Sequence, residues 1–182
     1  MGDHRPHTHH EPHGPPSHVS HKTQDSISLG CVVVTCSDTR TKETDTSGKL
    51  ICQLLTEQGH VIRDYRLIKD EPEDIRELLQ QAVQQTDKQV VIINGGTGIS
   101  RRDSTFEAVD TFLQKRLDGF GELFRYLSFQ DIGSPAMLSR ATAGIHEHLI
   151  IFSIPGSQGA VRLAMETLIL PEIGHIAGEL RK

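Results

Sequence analysis

The chain has 182 residues, a formal net charge of −5 and 36% hydrophobic residues, with no tryptophan. That length suits one domain with a sizeable aliphatic core and is short for two. The acidic balance gives no electrostatic reason to expect nucleic acid as a partner, and no apolar run reaches the ~20 residues that cross a bilayer. The polar start of the chain also lacks the apolar stretch of a signal peptide, so a cytoplasmic location is expected. Cys31, Cys36 and Cys52 contain no CxxC pair. They read as reduced, buried thiols rather than a disulfide framework.

Residues 1–27 differ from the rest. Seven of the eleven histidines fall here, interleaved with Pro6, Pro12, Pro15 and Pro16. With almost nothing apolar to bury, this stretch is expected to be a disordered tail ahead of an α/β domain at 28–182. Clustered imidazoles can bind Zn, Ni or Cu, but the plainer reading is a solvated tail that binds metal incidentally.

Along the domain, the β-branched run Leu29 to Cys36 reads as a buried parallel strand. Thr46 to Gln58 has Leu50, Ile51, Leu54 and Leu55 at helical spacing and is closed by Gly59. A second strand is expected over His60 to Ile68 and a helix over Glu73 to Gln85. Gln89 to Asn94 is the clearest strand, followed by a helix from Ser104 to Leu113. Short helices are expected up to Ala143, then a strand from His148 to Ile154. A helix from Ser157 to Leu170 is expected to stop at Pro171, with a final helical turn or two beyond it. The alternation predicts a mostly parallel sheet covered on both faces, a three-layer α/β/α sandwich.

In such a sheet ligands bind beyond the carboxyl ends of the strands. There the sequence carries Ser37-Asp38-Thr39-Arg40, Lys69-Asp70-Glu71-Pro72, Asn94-Gly95-Gly96-Thr97-Gly98 running on to Arg101-Arg102-Asp103, and Pro155-Gly156-Ser157. Gly95, Gly96 and Gly98 around Thr97 can form a nest of backbone N–H groups for an anion, though a tight turn alone is the plainer reading. No GK[ST] follows, so this is not a Walker A loop. Ser157 is a natural N-cap of the next helix, whose first N–H groups can also hold phosphate. Ser104-Thr105-Phe106-Glu107 has the form of a capping box, which would leave Asp103 free for a ligand. Asp70 could cap the helix after it. Alternatively, Asp70 and Asp103 hold Mg²⁺ against phosphate oxygens, while Arg101 or Arg102 neutralises phosphate charge. Phe120 to Phe129 holds four aromatic residues and reads as core or a subunit contact. Arg140 receives no role from spacing.

The segments SDTR (37–40), DTSG (45–48), NGGTG with RRD (94–103), GFGELFR (119–125), DIGSPAMLSRATAG (131–144) and PGS (155–157) resemble the MoaB/MogA family of molybdopterin-binding domains, over about residues 29–180. The resemblance implies the three-layer fold and MgATP-dependent adenylylation of molybdopterin with release of pyrophosphate. By motif, it implies that Gly95, Gly96, Thr97 and Gly98 hold ATP or pterin phosphate. Asp70 and Asp103 would be the critical acidic residues, and Ser37, Asp38, Arg102, Pro155, Gly156 and Ser157 would line the same pocket. Trimers or hexamers and other proteins of the cofactor pathway are the partners it implies. Two other functions stay open at this stage: a carrier that binds molybdopterin or nucleotide without turnover, and a metal-handling protein acting through the tail.

Overall fold

The computed structural model describes residues 27–100 and 103–182. The expected tail therefore lies outside the described residues. Six strands form one sheet in the order β2-β1-β3-β6-β5-β4. These are β1 (Gly30–Cys36), β2 (Val61–Ile68), β3 (Val90–Asn94), β4 (Lys115–Arg116), β5 (Thr142–His146) and β6 (Leu149–Ile154). The four strands β2, β1, β3 and β6 are parallel, while β5 and β4 close one edge antiparallel.

Period-two alternation explains both faces of the sheet. Cys31, Val33, Val90, Ile92, Ile150 and Phe152 point into one core, against α1 (Thr46–Glu57), α4 (Asp118–Ile132) and the C-terminal helices. Val32, Val34, Val91, Ile93, Leu149 and Ile151 point into the other, against α2 (Pro72–Val83) and α3 (Thr105–Phe112). A strand buried on both sides must be apolar at every position, which is what the runs in β1, β3 and β6 supply. Because α1 covers one face and α2 the other, the chain leaves β1 in one direction and returns to β3 on its other side. The β1–β3 junction is thus the point where strand order reverses, and it opens a crevice at the carboxyl ends.

Two expectations are corrected. Between α3 and β6 the chain forms the 15-residue α4, a 3₁₀ turn at Ser134–Leu138 and the strands β4 and β5, not a run of short helices. The helix was hidden because it is apolar on two sides: Phe120 and Phe124 are buried, whereas Leu123, Tyr126, Phe129 and Ile132 face outward. Nor does Pro171 end the last helix. The π-helical turn Ala164–Ile169 links α5 (Gln158–Leu163) to α6 (Leu170–Leu180), and Pro171 sits in the first turn of α6. A widened turn before proline accommodates the missing N–H and the ring, so the chain stays helical.

Candidate phosphate-binding cleft

A cleft of about 460 Å³ lies at the β1–β3 switch point, lined by Cys36, Ser37, Thr39, Arg40, Gly95 to Gly98, Asp103, Leu138, Ser139, Pro155 and Gly156. The loops after β1, β3 and β6 converge here because the glycines let them. Gly95 and Gly96 have φ of 106° and 58°, in the left-handed region. A Cβ on Gly95 would lie 2.2 Å from the Cys36 carbonyl oxygen, and one on Gly96 would lie 2.2 Å from both Asp70 Oδ2 and Thr105 Oγ1. The Gly95 N–H donates to the Ile154 carbonyl at 3.0 Å, which ties the loop to the end of β6. Beyond that point the N–H groups of Gly96, Thr97, Gly98 and Ile99 find no acceptor among the described residues.

Beneath the cleft runs a buried polar network. Asp45, wholly buried, accepts hydrogen bonds from Thr35 Oγ1 (2.6 Å), Tyr65 OH (2.6 Å) and the Gly48 N–H (3.0 Å), and caps α1. It also holds Arg40 Nη1 at 3.4 Å, and Arg40 Nη2 reaches the Gly156 carbonyl at 3.0 Å. Asn94 Nδ2 donates to Thr35 Oγ1 at 2.8 Å, joining the base of the glycine loop to the same network. Burial pushes the Asp45 carboxyl up, but hydrogen bonds from Thr35, Tyr65 and Gly48 together with the Arg40 charge outweigh it and leave the group below its ordinary value. Arg40 is therefore a fixed cation on the cleft wall. Burial lifts the Cys36 thiol to about 12, so it is a neutral wall group and not a nucleophile at neutral pH.

The expected capping box does not form. Ser104 makes no side-chain cap; its Oγ donates to the Asp70 carbonyl (3.1 Å) and to Asp70 Oδ1 (3.2 Å). Asp70 Oδ1 also accepts from the Ser104 N–H (3.3 Å) and Thr105 Oγ1 (2.9 Å). Asp70 thus anchors the start of α3 from across the cleft edge, instead of capping α2, whose N-cap Glu71 makes no side-chain bond. Glu107 pairs with Arg140. Asp103 is partly committed as well, because its Oδ2 accepts the Ser100 N–H at 2.8 Å and closes the glycine loop.

Of the sequence-predicted residues, Ser37, Gly95, Gly96, Thr97, Gly98, Asp103, Pro155 and Gly156 line the cleft. Asp70 lies behind Gly96 and outside the lining. Asp38 is exposed beside the cleft wall, and Ser157 caps α5 by accepting the Ala160 N–H at 3.3 Å. Arg102 lies outside the described residues, as does Arg101. Arg40, Thr39, Cys36, Leu138 and Ser139 were not anticipated. Arg40 and Thr39 sit inside the SDTR segment, where spacing could have suggested them. Leu138 and Ser139 arrive only because β5 pairs with β6, a non-local event.

Among the described residues, no group of three or more His, Cys, Asp or Glu side chains could hold a metal alone. Asp103 Oδ1 and Asp70 Oδ2 remain without a hydrogen-bond donor among those residues. One or two carboxylate oxygens beside a phosphate nest suit Mg²⁺, which completes its shell with phosphate and water. No helix of the described residues is long and apolar enough to cross a membrane.

Fold and cleft define a doubly wound α/β domain with a candidate ligand cleft at its switch point. The family model "probable molybdopterin binding domain" matches residues 32–175, and the chain belongs to that family. Molybdenum cofactor biosynthesis protein B of Bacillus anthracis is 52% identical over 165 residues, covering 90% of this chain and 98% of the relative. The Bacillus subtilis (strain 168) protein of that name is 48% identical over 163 residues, covering 89% and 96%. A crystal structure of a molybdenum cofactor biosynthesis protein B superposes with a TM-score of 0.84 at 52% identity, over 87% of this chain and 99% of that one. The tungsten cofactor synthesizing protein MoaB from Pyrococcus furiosus gives 0.76 at 34% identity, over 85% and 98%.

Proposed function

We propose that this chain acts in molybdenum cofactor biosynthesis by adenylylating molybdopterin with MgATP. The names of its relatives support the pathway. The chemistry is supported by one observation above all: the uncommitted amides of Gly96, Thr97 and Gly98, the fixed Arg40 cation and the Asp103 carboxylate share a single cleft.

In the reaction, an oxygen of the terminal phosphate of molybdopterin forms a bond to the α-phosphorus of ATP. The bond to the bridging oxygen breaks, and pyrophosphate leaves with the bonding electrons. The attacking phosphate is already ionised, so no strong general base is needed; the protein's task is alignment and charge compensation. The loop amides hold phosphate oxygens, and Arg40, in the same cleft lining, offsets their charge. Asp103, with Asp70 behind the loop, would hold Mg²⁺, which when bound would neutralise phosphate charge. The expected result is pyrophosphate release from MgATP only when molybdopterin is present. A folded protein that binds molybdopterin yet releases none would be a carrier instead.

We also place a second copy of the chain on the outer face of α4, in a trimer or hexamer. Leu123, Tyr126, Phe129 and Ile132 form a stripe at spacing three, more than half exposed at every position, and Met137 and Leu138 extend it. Tyr126→Glu with Phe129→Glu is expected to give monomers by light scattering. An assembly of unchanged mass would move the interface elsewhere.

A further inference from the structure

Among the described residues, Arg140 donates more hydrogen bonds to the glycine loop than any other side chain, yet it does not line the cleft. Its Nε donates to the Thr97 carbonyl at 3.1 Å, and its Nη2 donates to the carbonyls of Gly98 and, at 3.1 Å, Asp103. Nη1 pairs with Glu107, and the guanidinium lies 5.0 Å from the centre of the Phe106 ring. One planar fork thus holds three backbone oxygens on one side of the loop.

We propose that Arg140 is the positioning residue that turns the N–H groups of Gly98 and Ile99 toward the cleft, making the glycine loop an anion nest; this rests on the phosphate-binding reading of that cleft. In a trans peptide, the carbonyl of one residue and the N–H of the next point in opposite directions. Fixing the oxygens of Thr97 and Gly98 on the Arg140 side therefore turns the N–H groups of Gly98 and Ile99 away from it. The third carbonyl shows the rule at work. Arg140 holds the Asp103 oxygen, and the N–H of the same peptide, on Ser104, goes to Asp70 Oδ1 at 3.3 Å. For Gly98 and Ile99 no such acceptor exists among the described residues, so those N–H groups await one from a ligand. The Glu107 pair does not explain the arrangement. Glu107 is 57% exposed, and an ion pair so open to water contributes little. Lysine could not substitute, since a single ammonium lacks the planar fork that spans several oxygens at once.

Calorimetry and ¹⁵N amide spectra with inorganic pyrophosphate and Mg²⁺ test this directly. In the wild-type protein, the Gly98 and Ile99 amides are expected to shift as pyrophosphate binds. Arg140→Lys is expected to weaken binding by about tenfold, the loss of a charged hydrogen-bond set, and to erase those shifts. Its melting temperature should stay near wild type, and Glu107→Gln should bind normally. Equal affinity and equal shifts in Arg140→Lys would overturn the proposal, as would an equal loss in Glu107→Gln. Should Arg140→Lys not fold, the wild-type spectra still decide: bound pyrophosphate that leaves Gly98 and Ile99 unshifted rules the nest out. A wild-type protein with no affinity for pyrophosphate or MgATP sinks the phosphate reading of the cleft, and this inference with it. Normal wild-type binding with an unaffected Arg140→Lys sinks this inference alone.

Discussion

Asp103→Asn is expected to cut pyrophosphate release by about a hundred- to a thousandfold, the usual effect of losing one group that stabilises developing charge. Its fold should survive. The Asn carbonyl can accept the Ser100 N–H as Oδ2 does now, at 2.8 Å, so the loop stays closed. What disappears is a negative charge facing the cleft. That loss has a sign that identifies the metal. A bare carboxylate in an anion-binding cleft repels phosphate, so without a cation Asp103→Asn should bind ATP more tightly than wild type. If Asp103 helps to hold Mg²⁺ with the nucleotide, the same variant should bind ATP more weakly when Mg²⁺ is present. Affinities measured in EDTA and in Mg²⁺ should therefore change in opposite directions. Near-normal turnover by the folded variant would remove Asp103 from the mechanism.

Asp70 lies behind Gly96 and outside the cleft lining, so its asparagine variant is expected to shift ATP affinity in the same two directions but by less, and it needs one precaution. Three donors converge on its Oδ1, so truncation to alanine confounds lost charge with a lost anchor for α3. Asparagine keeps an acceptor there and isolates the charge. The sequence could show that Asp70 and Asp103 sit at strand ends. It could not show that one faces the cleft while the other lies behind Gly96, because that depends on how the loop folds over Thr105.

Much of the fold was readable for a physical reason. A strand buried on both faces must be apolar throughout, so β1, β3 and β6 declare themselves, and Gly95 and Gly96 follow β3 directly. What escaped depends on partners distant in sequence. The strand β5 contains Thr142, Gly144 and His146 and has weak strand character; pairing with β6 defines it. Arg140 shows no local signal either. Its importance comes from carbonyls that lie 37 to 43 residues back along the chain. Ser104 shows the opposite failure: a good local capping pattern yields to a carboxylate supplied by the β2–α2 connection.

Asp45→Ala is expected to be the most destabilising of the changes considered, by about 3 kcal/mol, the upper end of the cost of leaving buried hydrogen-bond donors without their acceptor. The substitution strands Thr35 Oγ1, Tyr65 OH and the Gly48 N–H without their acceptor and leaves the Arg40 charge unpaired at the cleft wall. Asp45→Asn isolates the charge. Because the folded-state carboxyl is depressed below its ordinary value of 3.8, its contribution is fully present above that value and is lost as pH falls through the lower, folded one. The stability gap between wild type and Asp45→Asn should therefore be constant near neutral pH and shrink in acid below about 4. ATP affinity should fall in the same variant, since Arg40 and the base of the glycine loop share this carboxylate through Thr35 and Asn94. A stability gap that persists unchanged into acid would show that Asp45 acts through shape and not charge. In that case Arg40 would not depend on it for its position, and ATP binding should be indifferent to the substitution.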